Sequence, residues 1–128
     1  MEKKIVSTAA FFGMTAIIFG AFGAHALKEV LSAEQLATYE TGVKYQMYHA
    51  LFLLFLGLSH HLSHKTKKII LVLTILGILF FSGSIYLLAT MTITNINFKV
   101  IGIITPIGGL LLISTWGMIM YHYLKKKV

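Results

Sequence analysis

The stretch FGAFGAHALKEVLSAEQLATYETGVKYQMYHALFLLF, Phe19 to Phe55, decides how the chain is read. Two apolar runs enclose a polar connection. The stretch carries two histidines (His25, His49), three glutamates (Glu29, Glu34, Glu40), two lysines (Lys28, Lys44) and three tyrosines (Tyr39, Tyr45, Tyr48). An apolar run that ends, turns through a polar connection and resumes is the pattern of a helical hairpin that leaves and re-enters a bilayer.

Composition places the whole chain in that setting. Of its 128 residues 57% are hydrophobic and 12% charged, against about a quarter charged in soluble domains. The absence of cysteine excludes disulfides, thiolate metal sites and thiol redox chemistry. The net charge of +7 comes from eleven lysines against four glutamates, and most lysines sit at the ends of apolar runs. That placement argues for a membrane topology rather than a nucleic-acid surface.

The pattern predicts an all-α, polytopic membrane protein of one domain, with four transmembrane helices over residues 5–27, 45–63, 69–90 and 100–123. At about 1.5 Å per residue the first run crosses a hydrocarbon layer of about 30 Å. A cleaved signal is the rival reading, since Ala24, His25 and Ala26 resemble a cleavage site, but the run exceeds the 7–15 residues or so of such a segment. Between the first two spans, Ser32 and Gln35 form a capping-box pattern, and Leu36, Tyr39, Val43 and Met47 recur at helical spacing. This predicts a short amphipathic helix at the membrane surface, with Gly42 as the bend into the second span and Glu40 and Lys44 paired at i,i+4.

The lysines fix an orientation. With the amino terminus in the cytoplasm, Lys3, Lys4, Lys65, Lys67, Lys68, Lys125, Lys126 and Lys127 fall inside and Lys28, Lys44 and Lys99 outside. That excess predicts a multi-pass membrane protein with both termini cytoplasmic. The uncharged loop from Met91 to Phe98 and the polar hairpin then face outward.

Membrane helices associate through small residues and buried hydrogen bonds. Ala9, Gly13, Ala16, Gly20 and Ala24 recur every three or four residues in the first span. Gly23 in the same span, Gly77 in the third, and Gly102, Pro106 and Gly109 in the fourth complete the expected packing positions. Pro106 predicts a kink, because it cannot donate to the carbonyl of Gly102.

The candidate site is drawn from the opening stretch: His25, Glu40, Lys44, Tyr45, Gln46, Tyr48 and His49. Counting along the two helices places His25 and His49 at similar depth near the outer boundary. Polar groups at membrane depth are costly unless partnered, so these residues are expected to close a hydrogen-bonded clasp between the first two helices. A site for a lipid headgroup or small ligand is the functional version. Two facing imidazoles are also an axial pair for haem iron, with His60 or His61 and His122 as a second pair at the other boundary. No spacing matches a defined ligand motif, so neither metal nor cofactor is expected. The sequence contains no Ser/His/Asp constellation, glycine-rich phosphate loop or paired buried carboxylate, and an enzyme is not expected.

The segments GAFGAHAL (Gly20 to Leu27) and YQMYHALFLLFLG (Tyr45 to Gly57), joined by the amphipathic linker, resemble the signature of the YgdD/YwdK-like family of small membrane proteins, domain of unknown function number 423. The resemblance extends over the chain in length and span count. It implies a bacterial plasma-membrane protein of four helices and brings no enzymatic activity with it. Gly20, Gly23, His25, Tyr45, Gln46 and His49 occupy the family's motif positions. The expected function is a non-enzymatic membrane protein that supports membrane integrity or homeostasis through a membrane lipid, a membrane-protein partner or a second copy. A small-molecule or ion transporter is the alternative, and a haem-binding electron carrier the third reading.

Overall fold

A computed structural model describes residues 1–95, 97 and 99–126. The expectations for Phe98, Lys127 and the Lys99 side chain lie outside the described residues. Among the described residues every regular element is helical. Helix α1 spans Glu2–His25, and a 3₁₀ turn at Leu27–Glu29 leads to α2, Ala33–Leu58. Helix α3, His64–Ile78, runs through a π-helical turn at Leu79–Gly83 into α4, Ser84–Ala89. The single-turn α5, Met91–Thr94, ends on Asn95 in the left-handed region (φ 56°), which asparagine tolerates. A 3₁₀ turn at Lys99–Ile103 then opens α6, Ile104–Lys125.

Three segments are long and apolar enough to cross a membrane: Glu2–Glu29, His64–Ala89 and Val100–Lys125, with mean hydropathies of 1.9, 2.4 and 1.8. The fourth expected span belongs to α2, which has the length, 26 residues, but carries Glu34, Glu40 and Lys44 in its first half. The lipid-facing character of the others shows in their surfaces. Phe11, Ile17, Val72, Leu79, Leu110 and Ile113 stand exposed on these segments, as hydrocarbon contact requires.

The expected surface helix is not a separate element. The capping box forms, with Ser32 Oγ accepting from the Gln35 backbone and Gln35 Oε1 accepting from the Ser32 backbone. From there α2 continues unbroken through Gly42 to Leu58. Gly42 does not bend because its missing side chain serves a contact instead: a Cβ there would lie 2.7 Å from Tyr86 Cε1. Ser82 Oγ donates to the Gly42 carbonyl at 2.7 Å, so the helix is gripped by its neighbour at this point.

Pro106, expected to kink the last span, falls in the first turn of α6, directly after the 3₁₀ turn at Lys99–Ile103, so its missing N–H coincides with the change from 3₁₀ to α geometry. Of the expected packing glycines, Gly23 lies under the Tyr39 ring and Gly77 under Leu112, each too close for a Cβ. Gly13, Gly20 and Gly109 make ordinary contacts, and Gly102 faces open space. The tightest approach is at Gly108, where a Cβ would stand 2.3 Å from the Phe81 backbone nitrogen. This presses α6 against the π-helical turn, and one residue beyond that turn Ser84 Oγ, at the start of α4, lies 2.5 Å from Thr105 Oγ1 of α6.

The main core, built from Ile5, Ala9, Phe12, Ala50, Leu53, Leu56, Ile70, Ile78 and Leu112, runs down the centre of the bundle. A smaller cluster, Leu27, Leu31, Tyr39 and Ala89, closes the hairpin end.

Candidate functional site

The continuity of α2 resets the depth of its polar residues. His49 lies 16 residues beyond Ala33, about 24 Å along the helix axis, so it belongs to the middle of the bundle. His25 is the last residue of α1 and sits at the hairpin end. The expected facing pair is therefore not formed. His25 is exposed and its Nδ1 lies 2.8 Å from the Ala21 carbonyl of its own helix.

His49 is buried and fully engaged. The indole Nε1–H of Trp116 donates to His49 Nε2 at 3.0 Å. An indole nitrogen is a donor only, so Nε2 accepts, and the ring proton resides on Nδ1, which donates to the Tyr45 carbonyl at 2.8 Å. The imidazole is thus a neutral link from α2 to α6, flanked by Phe52 and Trp116 with ring centroids 6.1 Å away in each case. Both ring nitrogens are occupied by protein groups.

One turn earlier on α2, Gln46 ties three segments together. Its Nε2 donates to the Phe12 carbonyl at 3.0 Å and to Thr15 Oγ1 at 2.7 Å on α1. Its Oε1 accepts from the Tyr86 hydroxyl of α4 at 2.7 Å. Tyr86 in turn packs against Phe19 and Tyr39, and the Tyr39 hydroxyl donates to the Phe19 carbonyl at 2.7 Å. Among the described residues no buried side-chain nitrogen or oxygen lacks a partner.

The remaining candidates stay at the surface of α2. Glu40, Lys44, Tyr45 and Tyr48 are exposed, and Tyr45 packs its ring on Phe81 and Tyr48. Glu40 and Lys44 form no ion pair; among the described residues the ion pairs involve Glu2, which lies 3.7 Å from Lys67 Nζ and 3.8 Å from His60 Nδ1. At the lysine-rich end His122 Nε2 meets the His61 carbonyl at 3.1 Å rather than the ring. Among the described residues no three histidines, cysteines or acids gather closely enough to hold a metal ion.

The sequence reading missed Thr15, Tyr86 and Trp116, which complete the two buried links. One signal was available: Trp116 lies more than two turns before the end of α6, away from the boundary where tryptophan ordinarily settles. Beside the His49–Trp116 link a side groove of 300 Å³ opens between α2 and α6, walled by Tyr45, Phe81, Gly109, Leu112 and Ile113. Its walls suit an apolar chain or ring.

A family model described as protein of unknown function (DUF423) matches residues 19–109, a range that contains both quoted motifs. A UPF0382 membrane protein of Staphylococcus saprophyticus is 42% identical over 118 residues, covering 92% of this chain and 94% of that protein. A UPF0382 membrane protein of Haemophilus influenzae is 37% identical over 127 residues, covering 99% and 98%. The UPF0382 membrane protein YwdK of Bacillus subtilis is 37% identical over 128 residues, covering 96% and 98%. No solved structure matches the chain. With a family-model match over residues 19–109 and relatives 37–42% identical over nearly the whole chain, the chain belongs to the DUF423 family of UPF0382 membrane proteins, a family of unknown function.

Proposed function

We propose that the protein is a four-span plasma-membrane protein, with α2 as the additional span and both termini cytoplasmic, which supports membrane integrity without catalysing a reaction. The observation that carries this reading is how the motif's buried polar atoms are spent. Gln46 uses both ends of its amide, and His49 both ring nitrogens, on other parts of the same bundle. Groups so engaged fasten helices; they are not held open for a substrate. The span assigned to α2 draws support from its lower half, where Leu51, Phe55 and Leu58 present an exposed apolar face while Leu53 and Leu56 are buried. The groove beside His49 and Trp116 is where a lipid chain or partner helix would lie.

The test is deletion of the gene from a host that carries it, followed by uptake of a membrane-impermeant dye. Uptake should rise and return to the parental level when the wild-type chain is supplied from a plasmid. Uptake indistinguishable from the parent under osmotic stress would overturn the integrity reading.

A further inference from the structure

At the end of the bundle where α3 begins and α6 finishes, a second groove of 390 Å³ is lined by Thr66, Met118, Tyr121, His122, Lys125 and Lys126. We propose that it binds the phosphate headgroup of an anionic phospholipid, with an acyl chain running down the exposed face of α6.

Lys3, Lys4, Lys65, Lys67, Lys68, Lys125 and Lys126 are the described lysines of this end, and Glu2 is its one carboxylate side chain. Glu2 is committed elsewhere, within 4 Å of Lys67 and His60. Glu29, Glu34 and Glu40 lie at the hairpin end. The two lysines of the groove stand away from Glu2. Lys126 Nζ lies 2.9 Å from His61 Nδ1, and Lys125 Nζ stands 5.0 Å from the Tyr121 ring centroid. Two adjacent ammonium groups with no described carboxylate beside them present their charge to an anion at the bilayer surface.

Thr66 Oγ1 accepts from Ser63 Oγ at 2.9 Å, which leaves the threonine proton to donate. Ser63 caps the first turn of α3, whose positive end faces the same rim. With the Lys125 and Lys126 ammonium groups this makes a cluster of donors with no carboxylate acceptor among the described residues, the chemistry that suits a phosphodiester.

A lipid differs from free phosphate in its apolar part. Met118 and Tyr121 form the groove's apolar wall, and three turns back along α6 on the Tyr121 side Leu110 stands exposed. An inorganic anion uses none of that wall, whereas a phospholipid uses the polar and the apolar parts together.

The proposal rests on the membrane reading only in placing this end at the bilayer surface. The experiment is retention of short-chain phosphatidylglycerol by the full chain, purified in a neutral detergent and read by native mass spectrometry against phosphatidylcholine. Phosphatidylglycerol should be retained preferentially by the wild type. The K125Q/K126Q double variant should bind it about thirtyfold more weakly, and K3Q/K4Q, which removes the same charge from the same end, should bind it normally. Equal losses in the two double variants would overturn the site in favour of diffuse attraction, and no loss in either would overturn it outright. Inorganic phosphate should not compete at concentrations matching the lipid; competition as strong as the lipid's would overturn the lipid assignment. Helical circular dichroism and melting should be unchanged in both variants, whose side chains are exposed. Failure here with intact dye-exclusion behaviour removes this site and leaves the integrity reading standing; the reverse pattern does the opposite.

Discussion

The two halves of the family signature, Gly20 to Leu27 and Tyr45 to Gly57, each carry a histidine that bonds through Nδ1 to the carbonyl four residues earlier in its own helix. Beyond that shared bond they differ. His49 is buried and accepts from Trp116 of α6, while His25 is exposed at the end of α1. In the first half the glycine does the binding: Gly23 makes room for Tyr39, whose hydroxyl reaches Phe19. In the second half polar side chains reach across to three other segments. The comparison teaches that position along a continuous helix, and not residue type, determines whether a histidine becomes a link.

Removing the buried histidine gives the largest effect that this contrast predicts. His49→Ala deletes a ring that is 4% exposed, opens space beside Phe52 and Trp116, and leaves the indole N–H without its acceptor. Large-to-small changes at buried sites cost about 2–5 kcal/mol, and about 3 kcal/mol is expected here. Thermal melting of the purified protein in a neutral detergent should show the loss as a clear fall in midpoint. A midpoint equal to wild type would mean that α2 and α6 are not joined through this link.

The amide of Gln46 is the next largest. Gln46→Leu keeps the volume approximately but removes three hydrogen bonds, to Phe12, Thr15 and Tyr86. Interhelical hydrogen bonds in membranes average about 0.6 kcal/mol each, so a loss of about 2 kcal/mol is expected in the same melt. Tyr86→Phe should account for about a third of it, because it removes one of the three bonds. If the double variant Gln46→Leu/Tyr86→Phe is no worse than Gln46→Leu alone, the shared bond is real.

Much of the fold was legible because apolar length and small-residue spacing act locally. The helical hairpin, the capping box at Ser32 and Gln35, and the contact at Gly23 follow from residues near one another in sequence. What was not legible depends on neighbours distant in sequence. Gly42 looked like a bend because a glycine is free to bend; only Tyr86 and Ser82, about forty residues on, make it a contact inside an unbroken helix. The span expected from Val100 is present, but its first turn is 3₁₀ and becomes α-helical at Ile104, two residues before Pro106, a change of geometry that hydropathy does not show. His25 and His49 looked level because α2 was divided into a surface piece and a span. Once α2 is one helix, the candidate site separates into a buried pair of links, through Gln46 and His49, and an exposed set, Glu40, Lys44, Tyr45 and Tyr48.

The smallest effect completes the comparison. His25→Ala removes an exposed ring whose recorded hydrogen bond is to Ala21 in the preceding turn, a carbonyl on the same helix. Nothing in another helix loses a partner, and exposed substitutions away from such features stay within about 0.5 kcal/mol. The melt of His25→Ala should therefore overlay wild type, although His25 occupies the first half of the signature as His49 occupies the second. A loss approaching that of His49→Ala would place an unseen partner on His25 and make the hairpin end a binding surface. An overlay combined with raised dye uptake in cells would separate the two halves by role, the second holding the bundle together and the first meeting something outside it.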